Sequence, residues 1–177
     1  VRLRARPARD HAEAIRVVAG PHHVAERTKL DRRVPRVERQ LLDVGAELLA
    51  LPGELQVADD VLFPGFVDNP QAWMARAACF VLSSRWEGLP TVLIEALGCG
   101  CPVVSTDCPS GPAEILAGGE FGPLVPMGEP RAMAEAIAAV LAAPPPRARL
   151  LARAGLYSTA RAVERYQALL FGPRDAR

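Results

Sequence analysis

Residues 79–98 read CFVLSSRWEGLPTVLIEALG, and this stretch decides the predicted fold. It begins with a continuous apolar run, Cys79–Leu82, which is typical of a parallel strand buried on both faces. Pro90 begins a predicted helix that ends near Gly98 or Gly100, because proline favours the first helical turn and glycine favours the end. A strand that runs through a short loop into a helix is the repeating unit of an α/β fold.

The same alternation of strands and helices continues towards the C-terminus. Apolar runs at residues 102–105 and 124–125 predict two more strands. Three helices are predicted near residues 131–142, 147–154 and 159–170. These elements predict an α/β class, with a Rossmann-like parallel sheet and flanking helices. Because ligands bind outside the carboxyl ends of such strands, the loop at residues 83–89 is the predicted binding region.

The residues that precede this stretch have a weaker pattern. Residues 61–63 predict a short strand, and residues 68–70 predict the start of a helix over residues 71–77. The first 53 residues contain only a weak strand pattern at 15–18, a predicted helix over 41–51 and many arginines. We therefore divide the chain into a divergent or irregular stretch, residues 1–53, and a Rossmann-like domain, residues 54–177.

Composition excludes several classes of protein. The 177 residues carry a net charge of +1, which gives no electrostatic argument for nucleic acid or an acidic membrane. No apolar stretch approaches the roughly 20 residues that span a bilayer. The N-terminal arginines are not followed by the apolar core of a signal peptide, so we expect a cytoplasmic protein.

Three sets of residues have a structural and a functional interpretation. The four cysteines are predicted to be buried thiols, because Cys99 and Cys101 are too close in sequence for a zinc knuckle. The three histidines lack neighbouring ligands, so no metal is predicted. The arginines between residues 2 and 39 lack stacking aromatic residues, which favours a solvated surface over a nucleic-acid site.

The loop and the helix start at residues 87–95 have the chemistry of a phosphate site. Gly88 lets a ligand approach the main chain, and Pro90 leaves the amides of Thr91 and Val92 free at the positive end of the helix dipole. About one turn further on, Glu95 can accept two hydrogen bonds from a vicinal diol such as a ribose. This arrangement fits a nucleotide sugar, so residues 54–177 are predicted to be a nucleotide-sugar-binding domain.

A purely structural interpretation of the two glutamates is also available. Glu95 would then be a solvated helical residue, and Glu87 would cap the helix. Either residue taken alone favours this simpler interpretation. Their combination with Gly88, Pro90 and Thr91 favours a ligand site.

Residues 80–96 closely resemble the E-x(7)-E signature of the retaining glycosyltransferases of family four (group 1), which have the GT-B fold. Glu87 and Glu95 occupy the two glutamate positions. The similarity extends to residues 61–70, 100–116 and 122–126, so it covers about two thirds of the chain. The sequence CPSGPAEI, at residues 108–115, resembles enzymes that build bacterial surface polysaccharides from UDP-linked hexoses or N-acetylhexosamines.

The resemblance implies a role for each residue of the motif. Glu87 would be the catalytic residue that contacts the donor sugar, and Glu95 would bind the ribose. The remaining donor-binding residues would be Gly88, Leu89, Pro90, Thr91 and Val92. Transfer would proceed with retention to a glycan or lipid-linked acceptor, without cofactor or metal. The departing phosphate would help to deprotonate the acceptor hydroxyl, and the enzyme would work at the inner face of the membrane.

The resemblance also identifies what the matched residues lack. Members of the family are about twice as long, with a second, acceptor-binding domain, and a Gly-Arg … Lys-Gly element that neutralises the diphosphate. We therefore expect a truncated chain with little or no transferase activity, and a partly uncovered apolar face on the last helix. That face consists of Val163, Tyr166, Leu169 and Leu170.

Two other classes of function remain open at this stage. One is a catalytically inactive module that binds nucleotide sugars or a partner protein. The other is a GT-B epimerase or phosphorylase. A phosphorylase would normally supply a lysine for pyridoxal phosphate, and the single lysine of this chain, Lys29, lies in the unmatched stretch.

Overall fold

The computed structural model describes residues 17–19, 48–64 and 67–172. The chain divides into two compact units, one made of Val1–Gly20 with Gln71–Arg177 and the other of Pro21–Pro70. The three histidines, the arginines at 2–39 and most of the predicted helix at 41–51 lie outside the described residues. The domain boundary between residues 53 and 54 stays a prediction.

A parallel sheet forms the centre of the larger unit, as the sequence predicts. Its described strands are β1 (Val17–Ala19), β2 (Cys79–Leu82), β3 (Val103–Thr106) and β4 (Leu124–Val125). They lie in the order β1-β2-β3-β4, and each neighbouring pair is parallel. The prediction of an α/β fold with a parallel sheet is confirmed. Strand β1 overlaps the weak pattern at residues 15–18 in Val17 and Val18, so the sheet takes a strand from the N-terminal stretch.

At least one helix lies between each two successive described strands, and three helices follow β4. The bounds of the helices are α1 (helical at residues 48–54), α2 (Pro70–Met74), α3 (Thr91–Gly98), α4 (Pro112–Ile115), α5 (Pro130–Ala142), α6 (Arg147–Gly155) and α7 (Thr159–Phe171). The predictions of α3, α5, α6 and α7 are confirmed to within about a residue at each end. The short helix α4 is a feature that the sequence analysis missed.

Helix α2 is shorter than its prediction of residues 71–77. The amides of Arg76 and Ala77 bond to carbonyls three residues back, at Trp73 and Met74. Bonds of this kind tighten the last turn of a helix and end it. The predicted extension to residue 77 is therefore wrong.

The predicted strand at residues 61–63 is also wrong. These residues follow a 3-10 turn at Ala58–Asp60, and they pair with no strand in the described part of the chain. Leu62 is 71% exposed. A strand of a parallel sheet is normally covered on both faces, so an exposed apolar run lacks the burial that would stabilise it as one.

The core lies on both faces of the sheet because alternate side chains of a strand point in opposite directions. Phe80 and Val103 pack on one face with residues of α3, α4 and α6, including Leu93, Ile115 and Leu150. On the other face, Cys79 and Val104 pack with α5 through Val140 and its neighbours. Helices on both faces are typical of a Rossmann-like layer arrangement.

Helix α7 contributes no buried residue. Its apolar side chains are open to solvent: Val163 is 46% exposed, Tyr166 67%, Leu169 82% and Leu170 72%. The prediction that this face is partly uncovered is confirmed. Among the described residues, no helix has the length and apolar character that a membrane span requires.

Candidate functional site

Two loops lie side by side at the carboxyl edge of the sheet, because β2 and β3 are parallel neighbours. One follows β2 and leads into α3; the other follows β3 and leads into α4. The Thr106 hydroxyl donates to the Ser84 carbonyl at 2.5 Å, and the Ser110 hydroxyl donates to the Glu87 carbonyl at 2.8 Å. One side chain at the end of β3 and one in the loop after it therefore hold the loop that carries the paired-glutamate motif.

Gly111 makes this contact between the loops possible. It is buried and has a φ of 85°, a conformation that residues with a side chain rarely adopt. A β-carbon at Gly111 would lie 2.4 Å from Cδ of Pro90 and 2.8 Å from the Gly88 carbonyl oxygen. The second loop can thus approach the first only because residue 111 is a glycine.

The start of α3 has no side-chain cap. Pro90 is the N-cap residue rather than the first helical residue, so the sequence prediction is displaced by one position. Its buried ring fixes the entry of the chain, and its carbonyl accepts from the Leu93 amide at 2.9 Å. The first amides of a helix have no partner within the helix. Thr91 and Val92 therefore present their amides at the positive end of an uncapped helix.

Gly88 contrasts with Gly111. A β-carbon at Gly88 would have no neighbour within 4 Å, so packing within the described chain does not explain a glycine here. The position is exposed, and it lies between the half-buried Glu87 and the exposed Leu89. Open space beside the main chain is what a ligand needs in order to approach the amides.

Glu95 lies one turn into α3 and is half-buried. Its Oε2 accepts a hydrogen bond from Nε2 of Gln71, in α2, at 2.9 Å. The carboxylate is therefore oriented by a neighbouring helix rather than moving freely in solvent. Sequence analysis missed Gln71, because nothing in the spacing of residues 71 and 95 indicates that α2 and α3 meet there.

Glu87 is half-buried and lies close to the buried thiol of Cys108. Burial and, next, the negative charge of Glu87 raise the pKa of that thiol. All four cysteines are free thiols. The prediction that they are buried is confirmed for Cys79, Cys101 and Cys108, whereas Cys99 is half-buried. Within the described residues, no three His, Cys, Asp or Glu side chains are grouped to hold a metal.

The structure thus brings the motif together at one edge of the sheet. Glu87 to Val92 form the loop and the helix start, and Glu95 follows one turn later. The sequence analysis quoted Ser110 and Gly111 within residues 108–115 but did not give them their role, which is to secure that loop. The signal that could have found them is the Ser-Gly-Pro sequence directly after a buried strand, where the loop must meet the loop of the neighbouring strand.

The model of the family Glycosyl transferases group 1 matches residues 12–143, and the chain belongs to this family. Over 95 residues the chain is 42% identical to the N-acetylgalactosamine-N,N'-diacetylbacillosaminyl-diphospho-undecaprenol 4-alpha-N-acetylgalactosaminyltransferase of Campylobacter jejuni. That match covers 54% of this chain and 26% of the relative, so the chain spans about a quarter of the relative's length.

Solved structures support the same fold. The lipopolysaccharide outer core galactosyltransferase WaaB is 21% identical, with a TM-score of 0.65 over 72% of this chain and 37% of that one. HepE of Anabaena, solved in complex with UDP, is 23% identical, with a TM-score of 0.61 over 77% of this chain and 39% of that one. The fold is the α/β, Rossmann-like domain of GT-B glycosyltransferases.

Proposed function

We propose that this chain carries the donor-binding site of a retaining glycosyltransferase. The enzyme transfers a hexose or N-acetylhexosamine from a nucleotide-diphosphate sugar to a glycan or lipid-linked acceptor in cell-surface polysaccharide synthesis. One observation carries the proposal: an uncapped helix start lies between two half-buried glutamates at the carboxyl edge of the sheet. Membership of the glycosyltransferase family supports it.

The diphosphate occupies the start of α3. Helix α3 has no acidic residue in its first turn and no side-chain cap, so nothing in that turn competes with an anion for the amides of Thr91 and Val92. The helix dipole adds roughly half a positive charge at this end. Gly88 leaves the main chain of the loop accessible, and Leu89 and Pro90 set the direction in which it enters the helix.

Glu95 and Glu87 bind the two ends of the donor. Gln71 holds one carboxylate oxygen of Glu95, which leaves the other oxygen to accept from the ribose hydroxyls. Glu87 precedes the helix and contacts the sugar. The helix start lies between the two glutamates in the sequence, which fits a donor whose diphosphate lies between its sugar and its ribose.

Stabilisation of the leaving diphosphate is the main contribution of this site to the reaction. Negative charge develops on the phosphate as the glycosidic bond breaks, and amides that already point at it need no reorganisation. The departing phosphate then accepts the proton of the acceptor hydroxyl on the same face of the sugar, which gives retention. No residue of the chain is needed as a general base in this scheme.

The relatives indicate which ligands to test first. HepE of Anabaena was solved with UDP, which favours a UDP-linked donor. The Campylobacter jejuni relative acts on a diphospho-undecaprenol substrate, which favours a lipid-linked acceptor and work at the cytosolic face of a membrane.

Saturation-transfer NMR tests the donor site, because it detects weak ligands and reports which of their protons touch the protein. The probes are UDP, UDP-galactose, UDP-N-acetylgalactosamine and UDP-N-acetylglucosamine. Glu87→Gln is expected to lose saturation of the sugar protons, and Glu95→Gln that of the ribose protons. Each change removes a charged acceptor and weakens binding by about tenfold.

Glu135→Gln is the matched control, since Glu135 forms only an exposed ion pair with Arg131 on α5. It should bind every probe as the original chain does. The absence of saturation for all four probes would contradict the proposal. Transfer also needs an acceptor-binding domain, so binding without transfer to any lipid-linked acceptor by a chain that includes such a domain, and not by this chain, would favour the alternative of an inactive binding module.

A further inference from the structure

Ser110 has an unusual main-chain conformation for its position. Three described residues other than glycine have a positive φ: Gln56, Ser110 and Ala117. Gln56 and Ala117 each follow a helix, and the next amide in each case bonds to a carbonyl five residues back, from Val57 to Pro52 and from Gly118 to Ala113. That pattern is the Schellman motif, in which a left-handed residue is ordinary. Ser110 follows a strand, so helix termination does not explain it.

The Ser110 hydroxyl indicates what this conformation achieves. It lies 2.8 Å from the Glu87 carbonyl oxygen and also 2.8 Å from the carbonyl of Pro109, so its one proton is shared between the two acceptors. With a φ of 60°, a serine is less favoured than glycine, asparagine or aspartate. Strained residues of this kind persist where the surrounding structure holds them, and they concentrate at functional sites.

The neighbouring residue supports this interpretation. Gly111 has φ 85° and ψ −70°, and it lets the loop lie directly against Pro90 and the Gly88 carbonyl. Gly111 therefore accounts for the close approach of the two loops without any hydroxyl. The hydroxyl of Ser110 adds one specific contact, and that contact is to the main chain of Glu87.

We propose that Ser110 is a positioning residue for Glu87. Its hydroxyl holds the Glu87 main chain so that the carboxylate stays directed at the donor sugar. The inference rests on the proposed function, because Glu87 is the sugar-binding residue there. The ribose binds to Glu95 and the diphosphate chiefly to the amides of Thr91 and Val92, on a helix that the buried Leu93 and Leu97 hold without Ser110.

Two substitutions separate positioning from stability. Ser110→Ala removes the hydroxyl and keeps a side chain that disfavours positive φ, whereas Ser110→Gly removes the hydroxyl and relieves that cost. Ser110→Gly is therefore expected to melt several degrees above Ser110→Ala. If Ser110 positions Glu87, both variants lose the sugar contact to the same extent despite this difference.

The measurement is saturation-transfer NMR on the chain with UDP and with the UDP-sugar that the original chain binds best. We expect the ratio of the affinity for the UDP-sugar to the affinity for UDP to fall by about three- to tenfold in both variants, as for the loss of one hydrogen bond. Affinity for UDP alone should stay within about twofold. Ser158→Ala is the control, because it also removes a serine hydroxyl that bonds to the main chain, here to the Arg161 amide at the start of α7. It should leave the affinity for the UDP-sugar unchanged.

The outcomes are distinguishable from failure of the proposed function. If the original chain binds no UDP-sugar, the donor site itself is wrong. If the original chain binds a UDP-sugar, two results would overturn positioning by Ser110. In one, Ser110→Gly keeps the full sugar contact. In the other, the loss of that contact in the two variants is proportional to the loss of melting temperature. Equal loss in both variants, with UDP affinity retained, supports it.

Discussion

At the scale of single residues, Gly88 and Gly111 show that two glycines of one site can be required for different reasons. Gly111 is buried and has positive φ, and neighbouring atoms occupy the space of its missing side chain. Gly88 is exposed, and that space is empty. The first glycine is needed by the fold, whereas the second is needed only if a ligand uses the space.

Substitution with alanine distinguishes the two glycines. Gly111→Ala is expected to lower the free energy of unfolding by about 2–4 kcal/mol, since it adds a clash with Pro90 to the cost of positive φ. Gly88→Ala should change it by less than about 0.5 kcal/mol while weakening UDP binding. Urea denaturation and NMR titration measure these effects. A comparable loss of stability in Gly88→Ala would contradict the distinction.

At the scale of elements, α6 secures the short helix α4, which follows the Ser110 loop. Arg153 donates from Nε to the Ile115 carbonyl at 2.8 Å, and another of its nitrogens donates to the Glu114 carbonyl at 2.5 Å. Its guanidinium also lies over the rings of Phe121 and Tyr157. A cation near the last carbonyls of a helix is favourable, and here it closes a helix of only four residues.

Removal of this arginine is expected to loosen α4. Arg153→Ala should lower the free energy of unfolding by about 2–3 kcal/mol, because it leaves carbonyls without their charged donor. Arg153→Lys should recover less than half, because an ammonium group cannot reproduce the planar fork. Arg165→Ala, at an exposed position on α7, is the control. Equal melting temperatures for Arg153→Ala and this control would disprove the role of Arg153.

At the scale of the whole molecule, the buried thiols make stability depend on alkaline pH. Burial raises the pKa of Cys79 from 9.0 to about 11. Burial, and then the neighbouring thiols Cys79 and Cys99, raise the pKa of Cys101 to about 12. The unfolded chain releases these protons near pH 9, whereas the folded chain retains them. The contribution of these two protonated thiols to the free energy of unfolding is therefore fully present below about pH 9, and it is lost as the pH rises towards 12.

A pH series of melting temperatures checks this dependence. The original chain should melt at progressively lower temperature from pH 9 to pH 11. Cys101→Ala should be less stable at pH 8, because a buried side chain is lost, but its melting temperature should fall less steeply above pH 9. Identical slopes for the two chains would exclude Cys101 as a source of the dependence.

The sequence predicted those elements whose signal is local and whose burial is complete. The buried runs became β2 and β3, and Pro90 marked the start of α3 to within one residue. The apolar run at residues 61–63 gave a wrong strand, because hydrophobicity alone does not reveal whether a neighbouring strand is present. Helix α4 was missed because four residues are too few to show a periodic pattern.

By itself, the sequence determined the paired-glutamate motif, its place between a strand and a helix, and the family. These features are encoded in adjacent residues, so proline, glycine and apolar runs reveal them. Only the tertiary structure decided what holds the two glutamates. Ser110 reaches the Glu87 carbonyl across 23 positions, and Gln71 reaches the Glu95 carboxylate across 24. Such contacts depend on parallel strand pairing and helix packing, which bring together residues that no local spacing connects.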